Sequence, residues 1–382
     1  MAASYDAPMD SSSVVTPPHV AGPLRLEPFR GLTLSPSRVG DPVSARAFAR
    51  PYKEVATRLA RWERRGQISR DREAALYLHE YTSAGITIRG LVGALDVSHR
   101  AARPQERAIL PHEGIYPAQA DDLAHRMAQM QLNPAPILLV HRASARLRGL
   151  LTETVTDAPA QEFTDRAEQR HRVWAIRGRA ALDLIAAEIA PTRALIADGH
   201  HRYAAYLRLQ QREPGGAADR GLAMLVDQDD TPLFLGAIHR MLIGTTFDDL
   251  RSAAAAAGMG FAELPEERAV AGLGPDHLVV TDSRRWAVVT LGTTANRAAV
   301  EVLHDRLIPA LPQGPRRIGY HHTVEDTLAQ ASPSVGVAVL LPAPEVDLVL
   351  RVAADDRLLP EKATSFQPKP SLGVLIRSLR DG

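Results

Sequence analysis

Five consecutive residues, Asp198-Gly199-His200-His201-Arg202, constrain this chain more than any other stretch. They follow a short apolar run, Ala194 to Ala197, which reads as a buried strand. A helical pattern starts at His200 and carries apolar Tyr203, Tyr206, Leu207 and Leu209. A strand, a glycine turn and a helix start together make an anion site. The first amides of a helix lack internal partners, and the helix dipole favours negative charge there. Gly199 allows close backbone approach, and Arg202 offers a fork suited to phosphate oxygens. The plainer reading is a polar helix start with Asp198 as its N-cap. Capping accounts for Asp198 but leaves His200, His201 and Arg202 unexplained.

The rest of the chain narrows the class of protein. Its 382 residues suffice for one large core or two ordinary ones. Lys plus Arg is 45 against 44 acidic residues, a net of +1, so no strong field invites nucleic acid or an anionic membrane. Cysteine is absent, which removes disulfides, thiolate catalysis and cysteine-bound zinc together. No apolar run approaches the roughly 20 residues needed to span a bilayer. Residues 1–23 are small, polar and proline-bearing and do not resemble a signal peptide, so a disordered tail and a cytoplasmic protein are expected.

In chain order, Pro36, Gly40-Asp41-Pro42 and Pro51 suggest a loop over residues 36–51. Val55, Leu59 and Trp62 mark a helix ending at Gly66, and Ala74–Tyr81 and Thr87–Leu95 form a hairpin. Ala108 to Pro117 is a proline-bounded loop that carries His112-Glu113. A helix over Asp121–Gln131 and a strand over Pro136–Val140 follow. Residues 141–172 change character often and suggest a hairpin or a mobile excursion. Val173–Ile176 then reads as a strand and Ala180–Ala190 as a helix. Beyond the box, strands are expected over Leu222–Val226, Leu233–Ile238, His277–Thr281, Trp286–Leu291 and Val335–Leu341, with helices over 249–257 and Val300–Leu307. Strands and helices mix irregularly, which indicates an α+β fold rather than a doubly wound sheet.

Other candidate chemistry is weaker when taken residue by residue. Glu113 sits in a stiff loop and suits a general base, although loop carboxylates are usually solvated. Lys362 and Lys369 are surface charges by default, yet a lysine beside Thr364 and Ser365 also suits a nucleotide phosphate. Neighbouring histidines on a helix diverge by about 100°, so His200 and His201 are a poor chelate for one metal. His321-His322 reads as a polar loop pair. The chain has no Gly-x-x-x-x-Gly-Lys-Ser/Thr loop, no Gly-x-Ser-x-Gly and no His-Glu-x-x-His.

Asp198 to Arg202 resembles the box of the ParB/sulfiredoxin-like superfamily, and more closely that of its free-serine kinases. The resemblance extends, in the same order, to Pro111-His112-Glu113 and to the Lys362–Thr364 region. From about Leu24 the chain also looks like a widespread bacterial family with a Pro-Phe-Arg-Gly start, a Leu-Pro-His-Glu loop, the Asp-Gly-His-His-Arg-Tyr box and a Pro-x-Lys-(Ser/Ala)-Thr-x-Phe-x-Pro-Lys ending.

The resemblance implies a ParB-like nucleotide-binding core with a mixed sheet over 106–240. An N-terminal α+β segment (24–105) and a C-terminal α+β domain (241–382) that closes the site would complete the chain. It implies a kinase in which Glu113, with His112, acts as base on the hydroxyl of a free amino acid, serine by default. Gly199, His200, His201 and Arg202, with Lys362 and Thr364, would hold the phosphates of ATP or ADP, and Asp198 would orient substrate or Mg²⁺. The alternative is a ParB-like nucleotide sensor without turnover. The expected partners are a nucleotide and a hydroxy amino acid, with a homodimer admitted and no membrane or nucleic acid. One departure stands out: many relatives carry Pro-Pro-Tyr-Asp where this chain has Ala49-Arg50-Pro51-Tyr52-Lys53-Glu54.

Overall fold

The computed structural model describes residues 14–49, 55–292 and 296–381. Arg50–Glu54, most of the segment that departs from the resembled pattern, lie outside the described residues, as do residues 1–13 of the expected tail. The fold is mixed α+β, as the irregular alternation of elements suggests. The chain divides into two compact units, one of Met1–Pro232 with Pro368–Gly382 and one of Leu233–Gln367.

The first unit is built on a nine-stranded mixed sheet. Across it run Ile109–Leu110, Ala194–Asp198, Ile137–His141, Arg220–Asp227, Ile86–Asp96, Leu76–Ser83, Arg170–Ile176 and Gln161–Thr164, with Leu26–Glu27 added on Ile86–Asp96. Its central hairpin turns at Ala84 (φ 49°) and Gly85 (φ 79°), the two positive dihedrals that match a two-residue turn to the strand twist. Two pairs are parallel: Ile109–Leu110 with Ala194–Leu195, and Ala223–Asp227 with Ile137–His141. Parallel pairs need both sheet faces covered. Leu139, Leu225, Ile196 and Leu78 accordingly lie in one apolar cluster with Tyr203 and Tyr206 of the box helix, His200–Arg212. The Pro117–Met130 helix adds Ala124 and Met127 to the same cluster. A smaller four-stranded sheet joins Ile68–Arg70, Gly31–Leu34, Ile376–Ser378 and Leu132–Asn133.

The second unit carries a six-stranded sheet in which every pairing is antiparallel. Its order is Gly260–Glu263, Trp286–Thr290, His277–Thr281, Gly336–Leu340, His239–Ile243 and Arg317–His321. A two-stranded ribbon pairs Phe234–Gly236 with Ser365–Gln367.

Four expectations are corrected here. Residues 14–23 are an integrated segment: Val15 pairs with Ile115, and buried Val20 donates its amide to the Tyr203 hydroxyl. Val20 and Leu24 supply the burial that the small, polar composition obscured. Residues 36–51 hold a helix, Pro42–Ala49, because Pro42 occupies its first position, where a proline costs nothing. Residues 141–172 contain the hairpin of Gln161–Thr164 and Arg170–Ile176 but also a helix, Ala145–Thr154. The Ser144 hydroxyl caps that helix, accepting the Leu147 amide at 3.1 Å. His321 closes a strand opposite His239 and is not part of a polar loop. Among the described residues no helix is long and apolar enough to cross a membrane.

Candidate active site

The parallel pairing of Ile109–Leu110 with Ala194–Leu195 makes both strands emerge from the sheet in the same direction. One runs into Pro111-His112-Glu113 and the other into Asp198-Gly199-His200. Two motifs separated by more than eighty residues of sequence therefore open at one end of the sheet.

The box itself has an irregular backbone. A register shift lies between Ile196 and Asp198 against the Ile137–His141 strand, a bulge of the kind that re-aims side chains at strand ends. Gly199, and not Asp198, occupies the N-cap position, with φ 97° and no side-chain cap. A Cβ there would meet the Arg202 guanidinium and the Ile137 methyl at 3.0 Å, so both the dihedral and the space require glycine.

Asp198 is committed elsewhere. Its carboxylate accepts the Arg202 guanidinium one turn along, and it takes the Lys369 ammonium at 2.6 Å. Burial opposes the charge on Asp198, but Arg202 and Lys369 outweigh burial and hold its carboxyl below the ordinary carboxylate range. The Arg202 fork also donates to the Pro136 carbonyl. Arg202 is thus oriented by the strand start beside it, with its remaining donors at the opening of the box helix.

Both box histidines bind the Pro111–Pro117 loop. His200 Nε2 accepts the His112 amide at 3.4 Å, and His201 Nε2 accepts the Tyr116 amide at 3.1 Å. The His201 ring also stacks on Tyr116, with planes 10° apart. His112 packs edge-on against His200 with ring centroids 4.7 Å apart. Since Nε2 of each box histidine accepts, the proton of the neutral ring sits on Nδ1. Nδ1 of His200 lies 4.0 Å from Glu113 Oε2, and Nε2 of His112 lies 4.0 Å from Glu113 Oε1. These contacts are too long for hydrogen bonds but seat the carboxylate between two imidazoles.

Burial determines the charge state of those rings. His200 is pushed down to about 3, chiefly by burial; Asp198 pulls against this, while His201 and Lys369 reinforce it. His112, fully buried, is held well below the ordinary histidine value by burial and by His200. Both rings are therefore neutral at pH 7. The positive charge at the box resides in Arg202 and Lys369.

Over residues 25–305 the chain matches the family described as protein of unknown function, DUF1015. It belongs to that family. No curated protein matches this DUF1015 chain. Among solved structures it is similar to a conserved hypothetical protein from Pyrococcus furiosus, at 14% identity and TM-score 0.38, covering 72% of this chain and 94% of that one. A mutant free serine kinase in complex with AMP matches at 14% identity and TM-score 0.40, over 70% and 88% of the two chains. SbnI from Staphylococcus aureus matches at 11% identity and TM-score 0.41, over 71% and 84%.

Of the residues singled out in the sequence, the first unit brings together His112, Glu113, Asp198, Gly199, His200, His201 and Arg202. Lys362 and Thr364 belong to the second unit. There the Lys362 ammonium lies 4.6 Å over the Tyr320 ring, and Arg240 covers the same ring at 4.7 Å. Arg240 is fully buried and donates to the carbonyls of Ile238, Glu361 and Lys362, which makes it the clamp of the Glu361–Lys362 turn. The residue read as a surface charge, Lys369, is the one that reaches the box. A cue lay in its neighbours: Pro368 and Pro370 make a stiff Pro-Lys-Pro stretch.

Asp198, to which the resemblance assigns a magnesium role, pairs here with Arg202 and Lys369. Among the described residues no group of three or more His, Asp or Glu side chains is placed to hold a metal.

Proposed function

We propose that this chain is a phosphotransferase that moves a phosphoryl group from ATP or ADP to the side-chain hydroxyl of a small free amino acid, serine by default. The single observation that carries the reading is the seat of Glu113. A partly exposed carboxylate lies 4.0 Å from each of two neutral imidazoles, one of them His200 at the first position of the box helix. Phosphoryl transfer depends mainly on positioning and on charge stabilisation, and both elements are present in one unit.

In the proposed reaction the Glu113 carboxylate takes the proton of the acceptor hydroxyl. A bond forms from that oxygen to the terminal phosphorus as the bond to the bridging oxygen breaks, and ADP or AMP leaves. Arg202 and the first amides of the box helix stabilise the phosphate oxygens. His200 and His201 act as positioning residues: their imidazoles hold the loop that carries Glu113. The unit would then contain most of the ParB-like nucleotide-binding core expected over residues 106–240. Lys362 and Thr364, which the sequence resemblance assigns to phosphate, remain candidates carried by the second unit.

The test is phosphorus NMR of the purified protein with Mg²⁺, ATP or ADP, and a panel of free hydroxy amino acids. A new phosphomonoester resonance that requires both the amino acid and Glu113 is the expected result. Nucleotide binding without an acceptor product would replace the kinase by a ParB-like sensor. No nucleotide binding at all would overturn both readings.

A further inference from the structure

Lys369 lies in a strap whose backbone is held on both sides. The Tyr81 hydroxyl donates to the Pro368 carbonyl at 2.7 Å. Gln169 donates its side-chain amide to the Lys369 carbonyl at 2.9 Å and accepts the Ser371 amide at 3.0 Å. Gln169 is itself fixed, because its own backbone amide donates to the Asp165 carboxylate at 2.9 Å. Asp165 is buried and continues through His171 at 3.0 Å to His79 at 3.1 Å, two further buried rings. Pro368 and Pro370 stiffen the strap on either side of the lysine.

The strap carries one exposed side chain, that of Lys369. The Lys369 side chain is 44% exposed and that of Asp198 27%, and pairs this exposed add little to folding. A strap held by a buried relay is out of proportion to the stability of that pair. It does, however, fix a cation beside the Arg202 guanidinium, so that two positive charges share the Asp198 carboxylate.

We propose that Lys369 is a phosphate-binding residue of this site, pre-placed by the clamped strap, and that it exchanges its contact with Asp198 for the anionic oxygens of a nucleotide's phosphates. This rests on the nucleotide reading above. Asp198 then acts as the counter-charge that keeps Lys369 and Arg202 aimed while no anion is present.

The experiment is calorimetric titration of the full chain with ADP and, separately, with uncharged adenosine. Lys369→Met removes the charge and keeps the apolar stem. It is expected to weaken ADP by about tenfold or more, the loss of one charge-assisted contact, while adenosine affinity stays as in the wild type. Equal ADP affinity in variant and wild type would overturn the assignment and leave the nucleotide reading standing. Parallel loss of ADP and adenosine would also overturn it, showing a structural lysine. A wild-type chain that binds neither ligand would sink the nucleotide reading and this inference with it. Lys369→Gln, which keeps a polar group near Asp198, repeats the comparison if the methionine variant does not fold.

Discussion

Glu113 is the residue on which the proposed chemistry depends most directly. Glu113→Gln keeps the shape of the side chain and removes its basicity. Turnover of the phosphoryl acceptor is expected to fall by about 10²–10⁴-fold, the usual contribution of a positioned base, with nucleotide affinity retained. Steady-state kinetics beside calorimetry checks both parts, and near wild-type turnover would remove Glu113 from the mechanism. His201→Ala makes the contrasting case. It leaves Glu113 intact but takes away the acceptor of the Tyr116 amide, so kcat should fall while KM for nucleotide holds. A rise in KM at constant kcat would instead make His201 a nucleotide ligand. Gly199→Ala is a test of the turn alone. Its left-handed dihedral and the 3.0 Å approaches to Arg202 and Ile137 predict a loss of roughly 1–2 kcal/mol or more, measurable by denaturant unfolding.

Among the elements, the box helix does two jobs with opposite ends of its side-chain set. Its first turn faces the Glu113 loop, while Tyr203 and Tyr206 anchor it in the core. The Tyr203 hydroxyl bridges the N-terminal segment, donating to the Pro18 carbonyl at 2.8 Å and accepting the Val20 amide at 3.0 Å. Tyr203→Phe leaves that buried amide without its partner, which costs about 1–3 kcal/mol. Lower thermal stability and faster proteolytic cutting within residues 14–23 are expected. Unchanged cutting would mean the segment is held by Val15 and Val20 packing alone. Periodicity announced this helix, as it did the Pro117–Met130 helix and the Leu76–Ser83 and Ile86–Asp96 hairpin. It missed the Pro42–Ala49 helix because three prolines and a glycine nearby resemble a loop, although proline at a first helical position is neutral.

For the whole molecule, acid is the informative perturbant. Burial pushes His200 to about 3 and His141 to about 4 in the first unit, and His239 and His304 to about 4 in the second. An unfolded chain binds protons at these histidines near pH 6.5, while the native one resists. Between about pH 6.5 and 3 the unfolded state therefore holds more protons, and native stability falls as pH falls. Melting temperature measured from pH 7 down to 4 should decline steadily, with signals from both units. Substituting His200 by Gln should flatten the decline in the first unit. A melting temperature independent of pH over this range would show that the rings are not held neutral.

The α+β character, the helix after the box, the need for glycine at 199 and the absence of cysteine chemistry were all determined by local sequence. The first two depend on neighbours within one or two turns of chain, where periodicity acts, the positive dihedral at Gly199 is a local backbone preference, and the lack of cysteine is composition alone. The assembly of the site was decided only in three dimensions. Glu113 meets the box because two short strands run parallel at a sheet edge, and a parallel pairing leaves no local signature in either strand. The histidines looked suited to phosphate by residue type. Burial made His200 neutral and backbone amides claimed Nε2 of both rings, and neither can be read from a spacing. Lys369 looked like a solvated charge: its flanking prolines signal a stiff stretch, but not that Tyr81 and Gln169, far along the chain, hold its backbone toward Asp198. Side-chain chemistry is written in the residues, but partners and charge states arise from long-range packing that excludes water and fixes distance.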